Sequence, residues 1–198
     1  MNDIDKNVAG IILAAGKGER IGKNKALLKL NGISFLEIVA AGLSAAKCYP
    51  ILIVGGADGG VVKNHALSLG LEFVLNKNWP AGQFSSLKAG LAGLNSNVSG
   101  TMVALVDHPL VQRQTYQELR NIFHQYTEKV IIPLYNGRKG HPIIIPARLI
   151  SEVLDFPDET TLRKVLHTHR EAIYIHEVDD PGILQDIDTS DDLRAVSE

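Results

Sequence analysis

Cysteine is nearly missing from this chain: Cys48 stands alone among 198 residues. No intramolecular disulfide can form, and its place at the end of an apolar helical stretch suits a small packed residue better than a nucleophile. No apolar run approaches the roughly 20 residues that cross a bilayer, and the start Met1–Asp5 lacks the basic residues and apolar centre of a signal peptide. A cytoplasmic protein with no membrane partner is expected. A formal charge of -2 leaves no bulk basic field, so no nucleic-acid partner is expected either. There is no internal repeat, low-complexity tract or linker. With 45% hydrophobic and 21% charged residues, the length and composition fit one soluble domain over 1–198.

What the chain has is alternation. Apolar runs at 8–15, 49–55, 71–75 and 101–106 alternate with helical stretches at 34–47, 60–69, 83–95 and 112–126. This pattern predicts an α/β fold: a mostly parallel sheet covered by helices on both faces, in three layers. Ligands on such sheets bind beyond the carboxyl ends of the strands. Gly16 to Lys25, Gly55-Gly56, Asn76 and Asp107 each follow a predicted strand, so four loops are expected to converge on one edge. In the second half, Asn136-Gly137 between Val130–Leu134 and Pro142–Ile145 predicts a β-hairpin. Helical pieces near 146–155 and 160–168, a strand near 172–176, the segment 183–189 and a short helix capped by Thr189 or Ser190 complete the reading.

The densest chemistry lies after the first strand. Gly16, Gly18 and Gly22 allow backbone conformations that turn N–H groups toward an anion, and Arg20, Lys23 and Lys25 supply matching charge. A Walker loop is excluded: five residues separate Gly16 from Gly22, and Asn24 follows Lys23 where Ser or Thr would bind metal. The dinucleotide fingerprint fails too, because Ile21 stands where its third glycine belongs. A plain glycine-rich turn with solvated lysines remains the bland alternative.

The run Leu13-Ala14-Ala15-Gly16, a few small or polar residues, Arg20, Ile21, Gly22 and then Lys25 resembles the signature of nucleotidyltransferases with a Rossmann-like domain. Within them it is most similar to the molybdenum-cofactor nucleotidyltransferases. Ala15 resembles the cytidylyltransferase form, since the guanylyltransferase form has a second glycine there. The usual proline before the lysine is replaced by Asn24. Further blocks occur in the family's order. Asp107-His108-Pro109-Leu110 resembles a Gly-Asp-x-Pro motif with Val106 in place of Gly. Asn76 to Leu91, with Trp79, Gly82, Ser85-Ser86-Leu87 and Gly90-Leu91, resembles the block between them, and Gly140-His141-Pro142 resembles a turn on the acceptor side. Late in the chain, Asp186-Ile187-Asp188-Thr189 resembles an Asp-x-Asp-Thr motif.

The resemblance implies an enzyme that transfers a nucleoside monophosphate, CMP from CTP, to the phosphate of molybdopterin. Leu13, Ala14, Ala15, Gly16, Lys25, Asn76, Ser85 and Ser86 would bind the nucleotide, and His108 and His141 the acceptor. Arg20, Lys25 and Asp107 would serve the transfer, with Mg2+ on Asp107 and Asp188. A molybdoenzyme receiving the finished cofactor would be a further partner. Each residue has a plainer reading. Asp107 and Asp188 suit helix caps, a helix beginning at Ser85-Ser86 explains those serines by N-capping, and a histidine entering a strand is often structural. The segment Pro157-Asp158-Glu159-Thr160-Thr161-Leu162-Arg163 departs from the family's Gly-Asp-x-Gly-Ala-Arg and leaves room for a sugar or polyol phosphate acceptor. A nucleotide-binding regulatory protein without turnover is the rival from another class.

Overall fold

The computed structural model describes residues 7–16, 24–94 and 97–196. The strands are β1 (Val8–Ala14), β2 (Lys29–Leu30), β3 (Ile33–Ser34), β4 (Ile51–Gly55), β5 (Glu72–Leu75), β6 (Gly100–Leu105), β7 (Val130–Tyr135), β8 (Arg138–Lys139), β9 (Ile143–Pro146) and β10 (Ile173–Glu177). The α-helices are α1 (Phe35–Ala45), α2 (Gly59–Ser68), α3 (Gln83–Ala92), α4 (Arg113–Gln125), α5 (Ile150–Asp155), α6 (Leu162–His167) and α7 (Ser190–Ala195). The main sheet has the order β10-β7-β9-β6-β1-β4-β5, with β8 attached to β7.

β1 pairs in parallel with β4 on one side and β6 on the other. Its seven residues are all buried, as an unbroken apolar strand at the centre of a parallel sheet must be. After β1 the chain builds β4 and β5 outward, then returns to lay β6 against the opposite side of β1. This reversal is a topological switch point, and it opens a crevice beyond the carboxyl ends of β1 and β6.

Two apolar cores sandwich the sheet. Phe35, Leu43, Val62, Tyr116, Leu119 and Phe123 bring α1, α2 and α4 onto one face. Phe84, Leu87, Leu91, Val153, Val165 and Leu166 bring α3, α5 and α6 onto the other. The three-layer α/β arrangement expected from the alternation is therefore present. Ser34 starts α1 with a reciprocal capping box: its hydroxyl accepts from the Glu37 N–H while the Glu37 carboxylate accepts from the Ser34 N–H at 2.9 Å. Cys48 is buried and burial pushes its thiol up to about 12, so it is an inert core residue.

The chain differs from expectation in two places. The Asn136-Gly137 turn does make a hairpin, with both residues at positive φ (47° and 74°), as a two-residue turn of the primed type requires. It returns the chain to Arg138–Lys139 rather than to the apolar run after Pro142. That run, β9, enters the interior of the sheet antiparallel to both β6 and β7. Pro181–Leu184, where the segment 183–189 begins, forms a 3-10 turn. α3 ends at Ala92, short of residue 95, with Gly93 as its C-cap. Among the described residues no helix is long and apolar enough to cross a membrane.

Candidate functional site

A cleft of about 500 Å³ opens at the carboxyl ends of β1 and β6, lined by Leu13–Gly16, Asn24, Lys25, Trp79, Ser86, Asp107 and Asp188 among others. The end of β1 and the first residues after it, Leu13 to Gly16, therefore face the cleft together. Arg20, Lys23, Gly18 and Gly22 lie outside the described residues.

Ala15 is held there by a close approach to Gly56: a Cβ on Gly56 would collide with the Ala15 carbonyl oxygen and come within 2.9 Å of Trp79 Cβ. Lys25 opens a 3-10 turn, and the Asn24 side chain caps it by accepting from the Ala26 N–H at 3.0 Å. The asparagine thus fixes this turn by capping, where the family's proline would fix it through its ring.

Three charges meet in the cleft. Lys25 Nζ donates to Asp107 Oδ2 at 2.8 Å and to Asp188 Oδ1, with the three side chains only 17–31% exposed. Burial alone would lower the Lys25 pKa, but hydrogen bonds and charge from Asp107 and Asp188 outweigh it and raise it above the ordinary lysine value. The ammonium is therefore fully charged at neutral pH. Neither carboxylate serves as the helix cap that was its plainer reading. α4 is capped from elsewhere, and α7 is capped by Thr189, through a reciprocal box with Asp192.

Asp188 reaches the cleft because residues 180–188 are strapped across it. Asp180, 2% exposed, accepts from Gln112 N at 2.9 Å, Thr115 Oγ1 at 2.6 Å and Gly182 N at 2.9 Å. It closes the α4 N-terminus and anchors the strap together. His141 N donates to the Ile183 carbonyl at 3.1 Å, and Ile187 N donates to the Asp107 carbonyl at 2.9 Å. Asp107 and Asp188 are thus joined through the backbone as well as through Lys25. Sequence reasoning missed Asp180, although Asp180-Pro181-Gly182 carried a turn signal.

Gly140 is where the strap meets the Gly-His-Pro turn, because a Cβ there would collide with the Ile183 carbonyl. Gly140→Ala is accordingly expected to lose about 1–3 kcal/mol of stability by overpacking against backbone. Urea unfolding checks this, and an unchanged midpoint would show that the strap yields freely.

The Asn76 block is arranged differently from its expectation. α3 begins at Gln83, two residues before Ser85, after Gly82 at φ 105°. Asn76 is buried behind the serines: its amide donates to Ser85 Oγ at 2.9 Å and Ser86 Oγ at 3.1 Å, while its oxygen accepts from Asn78 N at 2.9 Å. The Ser85 hydroxyl points at the Asn78 and Gly82 carbonyls, 2.9 and 2.8 Å away. Asn76 and Ser85 therefore brace the site from behind, and Ser86 alone of the three lines the cleft. Trp79 lines the cleft as well.

His108 and His141 lie together, their rings edge to face at 6.0 Å. Nδ1 of each is buried with no hydrogen-bond partner among the described residues. Burial, and then the neighbouring His108, bring the His141 pKa down to about 4, so its ring is neutral at physiological pH.

The donor set can hold a divalent cation. Asp107 and Asp188 bring hard carboxylate oxygens to one point already occupied by positive charge. Among the described residues no cluster of three or more metal-binding side chains exists. Two carboxylates suit a cation whose remaining ligands are substrate phosphate oxygens and water.

The chain is similar to several known proteins. Over 189 residues the chain is 26% identical to the molybdenum cofactor cytidylyltransferase of Escherichia coli (strain K12), covering 95% of this chain and 94% of that one. It is 32% identical over 150 residues to nicotine blue oxidoreductase of Paenarthrobacter nicotinovorans, covering 72% of each. Rv0371c of Mycobacterium tuberculosis H37Rv has the same fold, with a TM-score of 0.81 at 22% identity over 96% of this chain and 98% of that one; it has also been solved as a manganese complex. Residues 10–173 match the MobA-like NTP transferase domain, and the chain belongs to that family of nucleotidyltransferases.

Proposed function

We propose that this chain, acting as a single cytoplasmic domain, transfers CMP from CTP to the phosphate of molybdopterin and releases pyrophosphate. The convergence of Asp107 and Asp188 on Lys25, beside the loop that begins at Gly16, is the observation that carries the reading. An oxygen of the acceptor phosphate attacks the α-phosphorus of CTP, forming a new P–O bond as the bond to the β-phosphate oxygen breaks. Such transfers require in-line positioning and neutralisation of charge more than a protein nucleophile.

Lys25 would exchange its carboxylate partners for triphosphate oxygens, and Ser86, which accepts from Asn76, would donate its proton to the nucleotide. Arg20 would neutralise the departing pyrophosphate. Asp107 and Asp188 would hold Mg2+, which when bound neutralises charge on the phosphate oxygens. His108 and His141 would face the acceptor, and a molybdoenzyme would receive the product. Support for CTP comes from Ala15 and from the cytidylyltransferase relative, which spans 94% of its own length in the match.

The relative named as an oxidoreductase is the more identical over the aligned part, which makes redox chemistry the second reading. A lysine set between two carboxylates at a glycine-rich loop fits phosphate chemistry better, since electron transfer has no need of a metal–triphosphate cradle. Pyrophosphate release, assayed with Mg2+ and each of CTP, GTP, ATP and UTP, with and without molybdopterin, decides between them. Release with CTP and molybdopterin together is expected. Release with a sugar or polyol phosphate instead would reassign the acceptor, and reduction of nicotine blue without nucleotide transfer would overturn the proposal.

A further inference from the structure

The strap over residues 180–188 has a fixed post at its start. Asp180 is 2% exposed, and a carboxylate buried so deeply is costly unless its oxygens are hydrogen-bonded. Both of them are. Oδ2 accepts from the Gln112 N–H at 2.9 Å and the Thr115 hydroxyl at 2.6 Å, and Oδ1 from the Gly182 N–H at 2.9 Å. Gln112 precedes α4 and Thr115 lies in its first turn, and α4 is packed on the sheet through Tyr116, Leu119 and Phe123. The post is therefore set in the packed core rather than in a loop.

From that post eight residues lead to Asp188, a length that could span roughly 27 Å if the chain were free. It is pinned instead. A Cβ on Gly182 would collide with the Leu110 carbonyl, in the loop that follows Asp107, and a Cβ on Gly140 with the Ile183 carbonyl. Ile183 and Ile187 are buried in the core that α4 shares, and Ile187 N donates to the Asp107 carbonyl at 2.9 Å. The strap thus meets the Asp107 loop near both of its ends. Two influences could hold the Asp188 carboxylate beside that of Asp107. One is the Lys25 ammonium, which binds both. A cation site forms only when the lysine has left them for triphosphate oxygens, and the two like charges then repel. What keeps them together at that moment is the strap.

Resting on the reading of Asp107 and Asp188 as a cation site for nucleotidyl transfer, we propose that Asp180 is a positioning residue for that site. Through the strap it fixes where the Asp188 carboxylate lies relative to Asp107, and so sets the affinity for the divalent cation. Asp180 itself touches neither cation nor substrate. Mg2+ demands near-ideal octahedral geometry, and a site left about 1 Å too loose by its supporting residues no longer meets that demand.

Calorimetric titration with Mn2+ in the absence of nucleotide tests this in Asp180→Asn and Thr115→Val, each made in the wild type and in Lys25→Met. Asparagine keeps the size of the side chain and loses the charge that draws three donors, whereas valine removes one donor and keeps the carboxylate. In Lys25→Met, where the strap alone opposes the repulsion, affinity is expected to fall about tenfold for Asp180→Asn and about threefold for Thr115→Val. The fall should be smaller in the wild type, where the lysine helps. The Mn2+ concentration that half-activates transfer should rise in the variants that keep Lys25, while kcat at saturating Mn2+ stays within about twofold. Val153→Ala, in the opposite core, loosens the fold without touching the strap and should leave Mn2+ affinity unchanged. An equal loss there, strap variants that bind Mn2+ as tightly as their parents, or no Mn2+ binding by any of these proteins would each overturn the proposal. If the strap variants lose Mn2+ affinity but no nucleotide and acceptor release pyrophosphate, the transfer reading fails while the role of Asp180 stands. If Asp180→Asn transfers CMP with the Mn2+ requirement of the wild type, that role fails while the transfer reading stands.

Discussion

Asp107→Asn is expected to reduce nucleotidyl transfer roughly a hundred- to a thousandfold, the usual cost of removing one preorganised electrostatic group from a reaction centre. The substitution keeps the size and shape of the side chain. It also leaves the Ile187 N–H to Asp107 carbonyl bond in place, so the strap that carries Asp188 should remain seated. Lys25 retains Asp188 as a partner, and with all three side chains partly solvated the loss of one ion pair should cost less than about 1 kcal/mol of stability. The two effects are therefore separable. Thermal unfolding should change little while pyrophosphate release with CTP and molybdopterin collapses. A variant with full transfer activity would show that Asp107 has no part in the chemistry.

The carboxylate was visible in the sequence because β6 is. Gly100–Leu105 is a fully buried run, so an Asp two residues past its end must lie at the sheet's edge. The same logic placed Leu13 to Gly16, since β1 is buried throughout and its end is marked by glycine. Helices α1, α3 and α4 were legible from their apolar spacing. β9 was legible as a strand pairing with β7, but its second pairing with β6 was not: Ile143–Pro146 is buried throughout, and such a run does not reveal which further neighbour it takes. β8 consists of Arg138 and Lys139, whose polarity hides a strand. The site's longest-range features had no local signature at all. Asp188 was reached only through resemblance, and its meeting with Lys25 spans 163 positions. Asn76 was legible as important but not in its role, because hydrogen bonding behind two serines depends on where α3 begins, and helix ends are the least determined feature of a sequence.

Lys25→Met is expected to separate two properties that normally fall together: transfer should drop about a hundredfold, while binding of Mn2+ in the absence of nucleotide should strengthen. In the resting site the ammonium of Lys25 lies between Asp107 and Asp188, at the point where a divalent cation would be held. A unit charge 4 Å away contributes about 1 kcal/mol even at the dielectric of water, and twice that against a divalent ion. Since the lysine can swing aside, part of this is recovered, and a gain near 1.4 kcal/mol, or about tenfold in affinity, is the reasonable expectation. Folding stability without metal should move the other way, by about 1–3 kcal/mol, because two neighbouring carboxylates lose the charge between them; added Mn2+ should restore it. Nucleotide should also matter differently to the two proteins. In the wild type a triphosphate offers Lys25 new anionic partners and frees the carboxylates, so CTP and Mn2+ should strengthen each other's binding, reciprocally. In Lys25→Met that part of the coupling should vanish. Calorimetric titration with Mn2+, with and without CTP, measures all of these affinities. If the variant binds free Mn2+ no better than the wild type, the carboxylates are arranged for the lysine itself, and the cluster is a structural ion pair rather than a cation site held closed until nucleotide arrives.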